Sequence, residues 1–377
     1  MTSLIKNLKH SNKVMTFTIF NTNVCYVNAL RRIILSEIPI LVFKTTPYEE
    51  NKCNILVNTS RLNNEVIKQR LSCIPICYSD IENFPIKNYL LELDVENKTD
   101  TILTVTTEDF KIKDLTTDSY LDDSEVHKIF PPFIPQTGGE YYIDFVRLRP
   151  RISDEIPGER IKLNCKFSIS NARDDSTFNV AGTCSYGCTP DLAYQLTELA
   201  KRKKHWKDEG MKPEEIAFAS ANWKLLEGMR YVVVDSFDFV LETVGIYENE
   251  EIMIKSCKVL INKLETFKQD LINDQVDIHV SENTLPNCYD VILQNEDYTI
   301  GNIFDYEMYN TYFNNKILDY VGFKKKHPHD ASSVLMVSFV DPTKTISDVK
   351  TMLEQVIERS LSKVNDIKGS FDGTRRK

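Results

Sequence analysis

The order of hydrophobic and polar residues near the start of the chain predicts a strand followed by a helix. Over residues 14–20, hydrophobic side chains alternate with threonines, which is the period of a half-buried strand. After a cluster of helix-capping residues at 21–23, the apolar positions return at every third or fourth residue until Pro39 ends the run. These apolar positions are Val27, Leu30, Ile34 and Ile38. We therefore expect a helix with a buried stripe.

The pattern changes to short strands from residue 45 to about residue 178. Candidate strands lie at 90–95, 102–106, 141–145 and 161–169, and one short helix is expected at 64–71. The loop 129–139 carries three prolines and two glycines, which favour an irregular connection. This region is predicted to be a separate, strand-rich domain.

Helical spacing returns in residues 191–228, and a strand is predicted over residues 237–242. A long helix is then expected over residues 249–271, because apolar residues recur at intervals of three and four over its whole length. Its stripe consists of Met253, Cys257, Leu260, Leu264, Phe267 and Leu271. Such a stripe must pack on a partner surface.

The same order of elements occurs again after about residue 273, which indicates an internal repeat. A strand at 291–293 leads into a helix that begins near Tyr298, and a strand at 334–339 leads into a helix that begins after Thr345. The apolar side of this last helix carries Val349, Met352, Leu353, Val356 and Ile357. The predicted fold class is α+β, with two strand-helix-strand-helix units, of which the first is interrupted by the strand-rich domain.

Composition and charge limit the functions that fit this organisation. The chain has 377 residues, 42% of them hydrophobic and 27% charged, with a net charge of -9. These values are typical of a chain that is folded throughout, and we expect disorder only at the ends, notably in a flexible tail over residues 368–377. A protein that mainly neutralises phosphates usually has a basic balance, so a direct role in gripping DNA is disfavoured.

No membrane or secretory segment is expected. The most apolar window, residues 33–43, is much shorter than the roughly 20 residues that span a bilayer, and the N-terminus lacks the pattern of a secretory signal. The nine cysteines form no dense framework and are expected to be reduced core residues. The chain is predicted to be cytosolic or nuclear.

The run Asn28-Ala29-Leu30-Arg31-Arg32-Ile33-Ile34-Leu35-Ser36-Glu37-Ile38-Pro39 resembles the signature of alpha-like RNA polymerase subunits. This family includes bacterial alpha, archaeal D and the third-largest subunit of polymerase II. Residues 58–76 are similar to the start of its inserted domain, and residues 235–271 to its return strand and long dimerisation helix.

The second half of the chain resembles the small partner subunit of that family, archaeal L or the eleventh subunit of polymerase II. The resemblance rests on three short motifs: Tyr298-Thr299-Ile300-Gly301-Asn302, Tyr320-Val321-Gly322-Phe323 and His327-Pro328-His329. In cells the two subunits are separate chains. Their fusion is similar to an arrangement of large DNA viruses, which implies a viral source and a cytoplasmic location, in a viral factory or virion. A cellular source would imply the nucleus.

The resemblance implies a division into domains. Residues 1–45 with 179–272 would form the first, D-like dimerisation domain, and residues 46–178 the inserted strand-rich domain. Residues 276–367 would form the second, L-like dimerisation domain. The two dimerisation domains would make an intramolecular pseudo-dimer, so the chain itself would be a monomer within the complex.

The resemblance also implies a non-catalytic assembly platform that binds the largest, second-largest and small polymerase subunits and meets DNA only through the assembled enzyme. Arg31, Arg32 and Glu37 would dock the second-largest subunit, and Asn28, Gly301 and Asn302 are family-motif positions. The halves would pair through the long-helix stripe given above together with Val349, Leu353 and Val356. The second half has Asp305 and Tyr306 in place of the arginines, so one platform would recruit one such partner. Neither catalytic residues nor a cofactor is expected.

Three other interpretations compete with the platform. The pairs Cys73/Cys77 and Cys184/Cys188 could hold zinc, but their spacing is unusual and core cysteines are favoured. Asp235 and Asp238 suggest an acidic metal cluster, but the alternation around Phe237 favours a strand, and phosphate-loop and nucleophile motifs are missing. The basic run from Lys201 to Lys207, which contains Trp206, makes a nucleic-acid-binding transcription accessory protein the main alternative, although most such runs are solvated helix faces.

Overall fold

The computed structural model describes residues 4–153 and 155–372. The helices in chain order are α1 (Val24–Ser36), α2 (Asn64–Ser72), α3 (Asp123–Ile129), α4 (Leu192–Asp208), α5 (Pro213–Leu225), α6 (Asn249–Ile272), α7 (Tyr298–Met308) and α8 (Ile346–Asp372). The strands are β1 (Ile5–Ser11), β2 (Val14–Phe20), β3 (Ile40–Val42), β4 (Cys53–Asn58), β5 (Tyr89–Glu96), β6 (Leu103–Thr106), β7 (Lys111–Asp114), β8 (Ser119–Tyr120), β9 (Asp144–Leu148), β10 (Arg160–Lys166), β11 (Ser168–Ser170), β12 (Ala181–Pro190), β13 (Val232–Thr243), β14 (Ile278–Val280), β15 (Cys288–Gln294), β16 (Leu318–Lys324) and β17 (Ser332–Phe339).

The described residues form two compact units. The first unit contains residues 4–34, Ala181–Glu242 and 249–372, and the second contains Leu35–Val180 with Thr243–Glu248. Both predicted dimerisation halves therefore contribute to one unit.

The first unit contains two four-stranded sheets with matching strand orders. One sheet has the order β1-β2-β13-β12, and the other has the order β14-β15-β17-β16. In each sheet an inner strand leads into a short helix, β2 into α1 and β15 into α7, and the other inner strand leads into a long helix, β13 into α6 and β17 into α8. The predicted repeat is present, and two edge strands extend each copy beyond the predicted four elements.

The predicted apolar stripes of the two long helices are buried. Helix α6 packs against α8, and α7 also packs against α8. Every stripe residue named from the sequence is at most 8% exposed, namely Met253, Cys257, Leu260, Leu264, Phe267, Leu271, Val349, Leu353 and Val356. The three-four spacing thus identified the buried side of each helix correctly.

The second unit is built on a five-stranded sheet of order β4-β10-β5-β7-β8, with the smaller pairs β6-β9 and β11-β3. Its core contains a cluster of buried aromatic rings: Phe43, Phe84, Phe110, Phe130, Phe145 and Phe167. Helix α2 matches the predicted helix at 64–71 and is capped by Asn63, whose side chain accepts a hydrogen bond from the backbone N–H of Val66.

Several predicted elements of this unit need correction. The strand expected at 141–145 lies at Asp144–Leu148, and α3 is a second helix that was not predicted. The strand expected at 161–169 is divided into β10 and β11, because the chain changes sheets at the buried residue Phe167. Apolar and polar residues continue to alternate through residues 161–169, so the sequence pattern does not show where the chain changes sheets.

The border of the first unit also differs from the predicted division at residue 45. The change occurs after Ile34, because β3 is fully buried and pairs with β11, with Leu41 opposite Ile169. The hydrogen bond from the Tyr247 hydroxyl to the Pro39 carbonyl, 2.9 Å long, adds residues 243–248 to the same unit.

The predicted flexible tail is wrong for residues 368–372. Helix α8 continues to Asp372, and Phe371 is fully buried. Its ring meets Phe17 edge-to-face at 5.2 Å between centroids. Because the residues around Phe371 are polar, the sequence pattern did not show that the apolar stripe of α8 continues for one more turn. Residues 373–377 lie outside the described residues.

Six of the nine cysteines are buried, two are exposed, and Cys77 is half-buried. Cys25, Cys53, Cys165, Cys184, Cys257 and Cys288 are buried core residues, as expected. Cys73 and Cys188 are exposed and correct that expectation, since they lie at the end of α2 and in β12 on positions that no other side chain covers. Among the described helices, none combines the length and the apolar composition that crossing a bilayer requires.

Candidate functional site

Helix α1 carries two of the predicted docking residues, Arg31 and Arg32, and the family-motif residue Asn28, while Glu37 directly follows the helix. Its N-terminus is stabilised by the Asn23 side chain, which accepts a hydrogen bond from the backbone N–H of Cys25 at 3.0 Å. The buried face contains Tyr26, Val27, Leu30, Ile33 and Ile34. Arg31 and Arg32 are half-buried at the edge of this face.

Arg32 joins α1 to the N-terminus of α7. Its Nη2 lies 2.6 Å from Asp297 Oδ2, and its Nε donates to Thr299 Oγ1 at 2.9 Å. Asp297 is the N-cap of α7, since its Oδ1 accepts from the backbone N–H of Thr299 at 2.9 Å. One guanidinium therefore contacts both the cap and the first turn of the second half's helix.

A second polar link between the same helices is buried. The Tyr26 hydroxyl donates to Glu307 Oε1 at 2.7 Å, and Ser360 Oγ of α8 lies 3.3 Å away. Glu307 is 8% exposed and Ser360 fully buried. Burial, together with the Glu307 carboxylate, raises the pKa of the Tyr26 phenol, so this hydroxyl stays a hydrogen-bond donor at neutral pH.

Arg31 and Glu37 have different surroundings. Arg31 Nε donates to the side chain of the family-motif residue Asn28 at 3.0 Å, so these two residues are linked on one helix. The Glu37 carboxylate belongs to the second unit, is only 10% exposed and lies 3.9 Å from Arg173 Nη1. The docking role of Arg31, Arg32 and Glu37 stays a prediction.

Close packing explains why the family-motif position 301 is occupied by glycine. A Cβ placed on Gly301 of α7 would lie 2.1 Å from the ring of Phe323 in β16. Phe323 also meets Tyr298 edge-to-face at 5.4 Å. Two of the three sequence motifs of the second half therefore pack on each other, while the neighbouring motif residue Asn302 is half-buried.

Charged and aromatic contacts extend along the helices of the first unit. Lys268 of α6 pairs with Glu358 of α8, and Lys350 of α8 pairs with Asp274 just beyond α6. The ring of Phe267 lies 5.2 Å from Phe304 of α7. The sequence stripe predicted the apolar part of this contact but not its ion pairs.

The alternative chemistries find little support in the described residues. No group of three or more His, Cys, Asp or Glu side chains there could hold a metal ion. Asp238 belongs to β13, and its Oδ1 accepts hydrogen bonds from Thr18 and Thr189 at 2.7 and 3.0 Å. This carboxylate links neighbouring strands. His327 and His329 lie in an exposed loop.

Comparison with known proteins supports the polymerase resemblance. The chain is 26% identical over 293 residues to "DNA-directed RNA polymerases I and III subunit rpac1" of Dictyostelium discoideum, covering 71% of this chain and 81% of that protein. It is 24% identical over 286 residues to "DNA-directed RNA polymerase subunit Rpo3" of Pyrococcus horikoshii, covering 71% and 97%. It is also 24% identical over 302 residues to "DNA-directed RNA polymerases IV and V subunit 3B" of Arabidopsis thaliana, covering 67% and 86%.

A family model matches most of the chain. The RNA polymerase Rpb3/Rpb11 dimerisation domain matches residues 16–264, which include α1, the second unit and most of α6. The matched span therefore contains the Asn28 motif and the α6 stripe as far as Leu264. The chain belongs to the RNA polymerase Rpb3/Rpb11 dimerisation-domain family.

Proposed function

We propose that this chain is the non-catalytic assembly platform of a multisubunit DNA-directed RNA polymerase, with both platform halves in one polypeptide. The halves pair within the chain as a pseudo-dimer, and α1 docks the second-largest subunit. The largest and small subunits join this platform, and DNA is met only through the assembled enzyme.

The observation that carries this proposal is the repeated architecture of the first unit. Two four-stranded sheets with matching strand orders each supply one long helix, and the two long helices pack on each other. The matched family domain is described as a dimerisation domain, so the first half is expected to pair with a similar domain. Pairing of two such halves within one chain accounts for both facts.

The contacts of α1 favour different roles for its two arginines. Arg32 is engaged with Asp297 and Thr299 of the second half, so it favours a role in holding α1 against α7. Arg31 is half-buried and donates to Asn28 on its own helix. Arg31 is therefore the better candidate for a bidentate contact with another subunit.

Co-expression with the second-largest subunit tests the docking role. The double variant Arg31→Glu with Arg32→Glu is expected to abolish co-purification, because charge reversal on a partly desolvated contact creates repulsion. The single variant Arg31→Glu should have most of this effect. Unchanged co-purification of the double variant would remove the docking assignment.

Asp297→Asn is the matched control for Arg32. It weakens the ion pair with Arg32 and leaves the surface of α1 unchanged. Retention of the partner by this variant, with its loss in Arg32→Glu, would indicate direct docking by Arg32. Loss in both variants would indicate that Arg32 acts by positioning α1.

The proposed source and location rest on the fused arrangement alone. We propose a viral origin and a cytoplasmic site of action on this basis, although the relatives compared above come from cellular organisms. Purification of the chain from its native source, followed by identification of the co-purifying subunits, tests both points.

A further inference from the structure

Helices α4 and α5 form an apolar groove that the platform role does not use. The groove has a volume of about 320 Å³ and is lined by Leu192, Gln195, Leu196, Leu199, Trp223 and Lys224. Leu192 and Leu196 remain 67% and 64% exposed. Large aliphatic side chains gathered in an open groove are typical of a surface that binds another molecule.

The groove is bordered by positive charge, although the whole chain has a net charge of -9. Helix α4 carries five lysines and arginines against two acidic residues. Lys201 and Arg202 are paired with Glu198 and Glu227. Lys203, Lys204, Lys207 and Lys224 have no ion-pair partner among the described residues. Their charges are available to an acidic occupant.

Charge and apolar surface lie on the same side of α4. Lys203 follows Leu199 by four residues and Leu196 by seven, so helical periodicity places it in line with the groove. From Leu192 to Lys203 the helix rises about 16 Å, which is the length of about three turns of a second helix. The groove therefore fits one short helix with apolar residues inward and carboxylates toward Lys203 and Lys224.

Trp223 lines the groove with a largely buried side chain. The side chain is 5% exposed, and its indole Nε1 has no hydrogen-bond partner among the described residues. A buried donor without an acceptor is unfavourable.

We propose that the α4–α5 groove binds an acidic amphipathic helix of another protein. Nucleic acid fits the groove less well, because stacking of bases needs an exposed aromatic ring, whereas Trp223, the aromatic residue that lines the groove, is buried. The proposal does not rest on the platform role, since peptide binding can be measured on the chain without other polymerase subunits.

The two tryptophans of the chain, Trp206 and Trp223, lie in α4 and α5, so selectively excited tryptophan fluorescence reports on this pair of helices alone. The full chain with Trp206→Phe retains Trp223 as the single reporter. The probes are fluorescein-labelled 14-residue amphipathic peptides with leucines on one face and glutamates elsewhere. Comparison peptides carry lysines in place of the glutamates, or the same residues with the leucine period scrambled.

The acidic amphipathic peptides are expected to bind and to shift the Trp223 emission, and the lysine and scrambled peptides are not. Leu196→Asp should weaken binding by at least about tenfold because a buried aliphatic contact is lost. Lys224→Glu should weaken it by about three- to tenfold as an exposed charge pair becomes a repulsion. Phe218→Asp, on an exposed apolar position that does not line the groove, and Lys326→Glu are the matched controls and should bind normally.

Four results would overturn the proposal. They are equal binding of acidic and lysine peptides, no binding of any acidic peptide, and normal binding by both groove variants in a chain with unchanged circular dichroism. The fourth is that the groove binds something else, either a single-stranded oligonucleotide in a salt-dependent manner or a second copy of the chain. In that result, Leu196→Asp abolishes this other binding, and acidic peptides do not compete with it.

Discussion

At the residue scale, Gly301 connects a sequence motif to a packing requirement. The Phe323 ring occupies the space where any other residue would place its Cβ, at 2.1 Å. The motif glycine is thus required by the close approach of β16 to α7. A helix interior would otherwise favour alanine by about 1 kcal/mol.

Gly301→Ala is expected to lower the free energy of unfolding by about 1–3 kcal/mol, because the added methyl group overpacks the contact with Phe323. Chemical denaturation of the full chain measures this change. The double variant Gly301→Ala with Phe323→Leu should recover part of the loss, since the smaller side chain makes room. A single variant as stable as the unchanged chain would contradict the packing reason.

The cysteines make a second residue-scale prediction. Burial raises the pKa of the Cys257 thiol to about 12, and its side chain is inaccessible, so little thiolate is available for alkylation. In the native chain at pH 8, iodoacetamide should modify the exposed Cys73 and Cys188 and leave Cys257 unmodified. Mass spectrometry after digestion measures each site, and the unfolded chain is the control in which all three react.

The same experiment with and without a chelator tests the zinc alternative. Labelling of Cys73 and Cys188 should be the same in both samples. An increase after chelation, together with a stoichiometric zinc content, would show that these thiols hold a metal.

At the element scale, the last turns of α8 are part of the core of the first unit. Phe371 is fully buried against Phe17, which itself stacks on Phe239 of β13 at 5.0 Å. Ser370 Oγ accepts a hydrogen bond from the backbone N–H of Leu4 at 3.1 Å. The C-terminal end of α8, in the second half, therefore packs on the sheet of the first half.

Phe371→Ala is expected to destabilise the chain by about 3–5 kcal/mol, as for other buried aromatic residues reduced to alanine. Thermal and denaturant unfolding measure the loss. Ser362→Ala, at an exposed position on the same helix, should change stability by less than about 0.5 kcal/mol. Equal stability of Phe371→Ala and Ser362→Ala would show that the end of α8 does not stabilise the unit.

At the scale of the whole molecule, pairing of the two halves is expected to depend on contacts and not on chain continuity. A short connection of residues 273–277 joins α6 to β14. Such a connection raises the effective concentration of one half near the other to about the millimolar range without adding contacts. The apolar contact between α6 and α8 and the ion pairs of Lys268 and Lys350 are expected to remain after cleavage.

A protease site placed between Asn273 and Val276 tests this expectation. After cleavage, the two fragments should co-purify as a one-to-one pair, and light scattering should give the intact chain the mass of a monomer. The uncut chain with the same inserted site is the control. Separation of the fragments, or an intact chain that runs as a homodimer, would contradict an intramolecular pseudo-dimer.

The sequence determined the elements whose periodicity is long and regular. The strand β2, the stripes of α6 and α8 and the repeated element order are present as expected, because an amphipathic element shows its buried side in its own spacing. The motif around Asn28 also indicated the family, and the matched family span includes that motif. The short strands of the second unit were less well located, because alternation does not mark where a chain changes sheets.

Only the tertiary structure decided which distant residues meet. Arg32 contacts Asp297 and Tyr26 contacts Glu307, at sequence separations of 265 and 281 residues. The packing of β16 on α7, the groove between α4 and α5 and the exposure of Cys73 likewise depend on how whole elements are placed. Local periodicity shows which side of an element is apolar, whereas the partner of a polar side chain is set by the register between elements far apart in the chain.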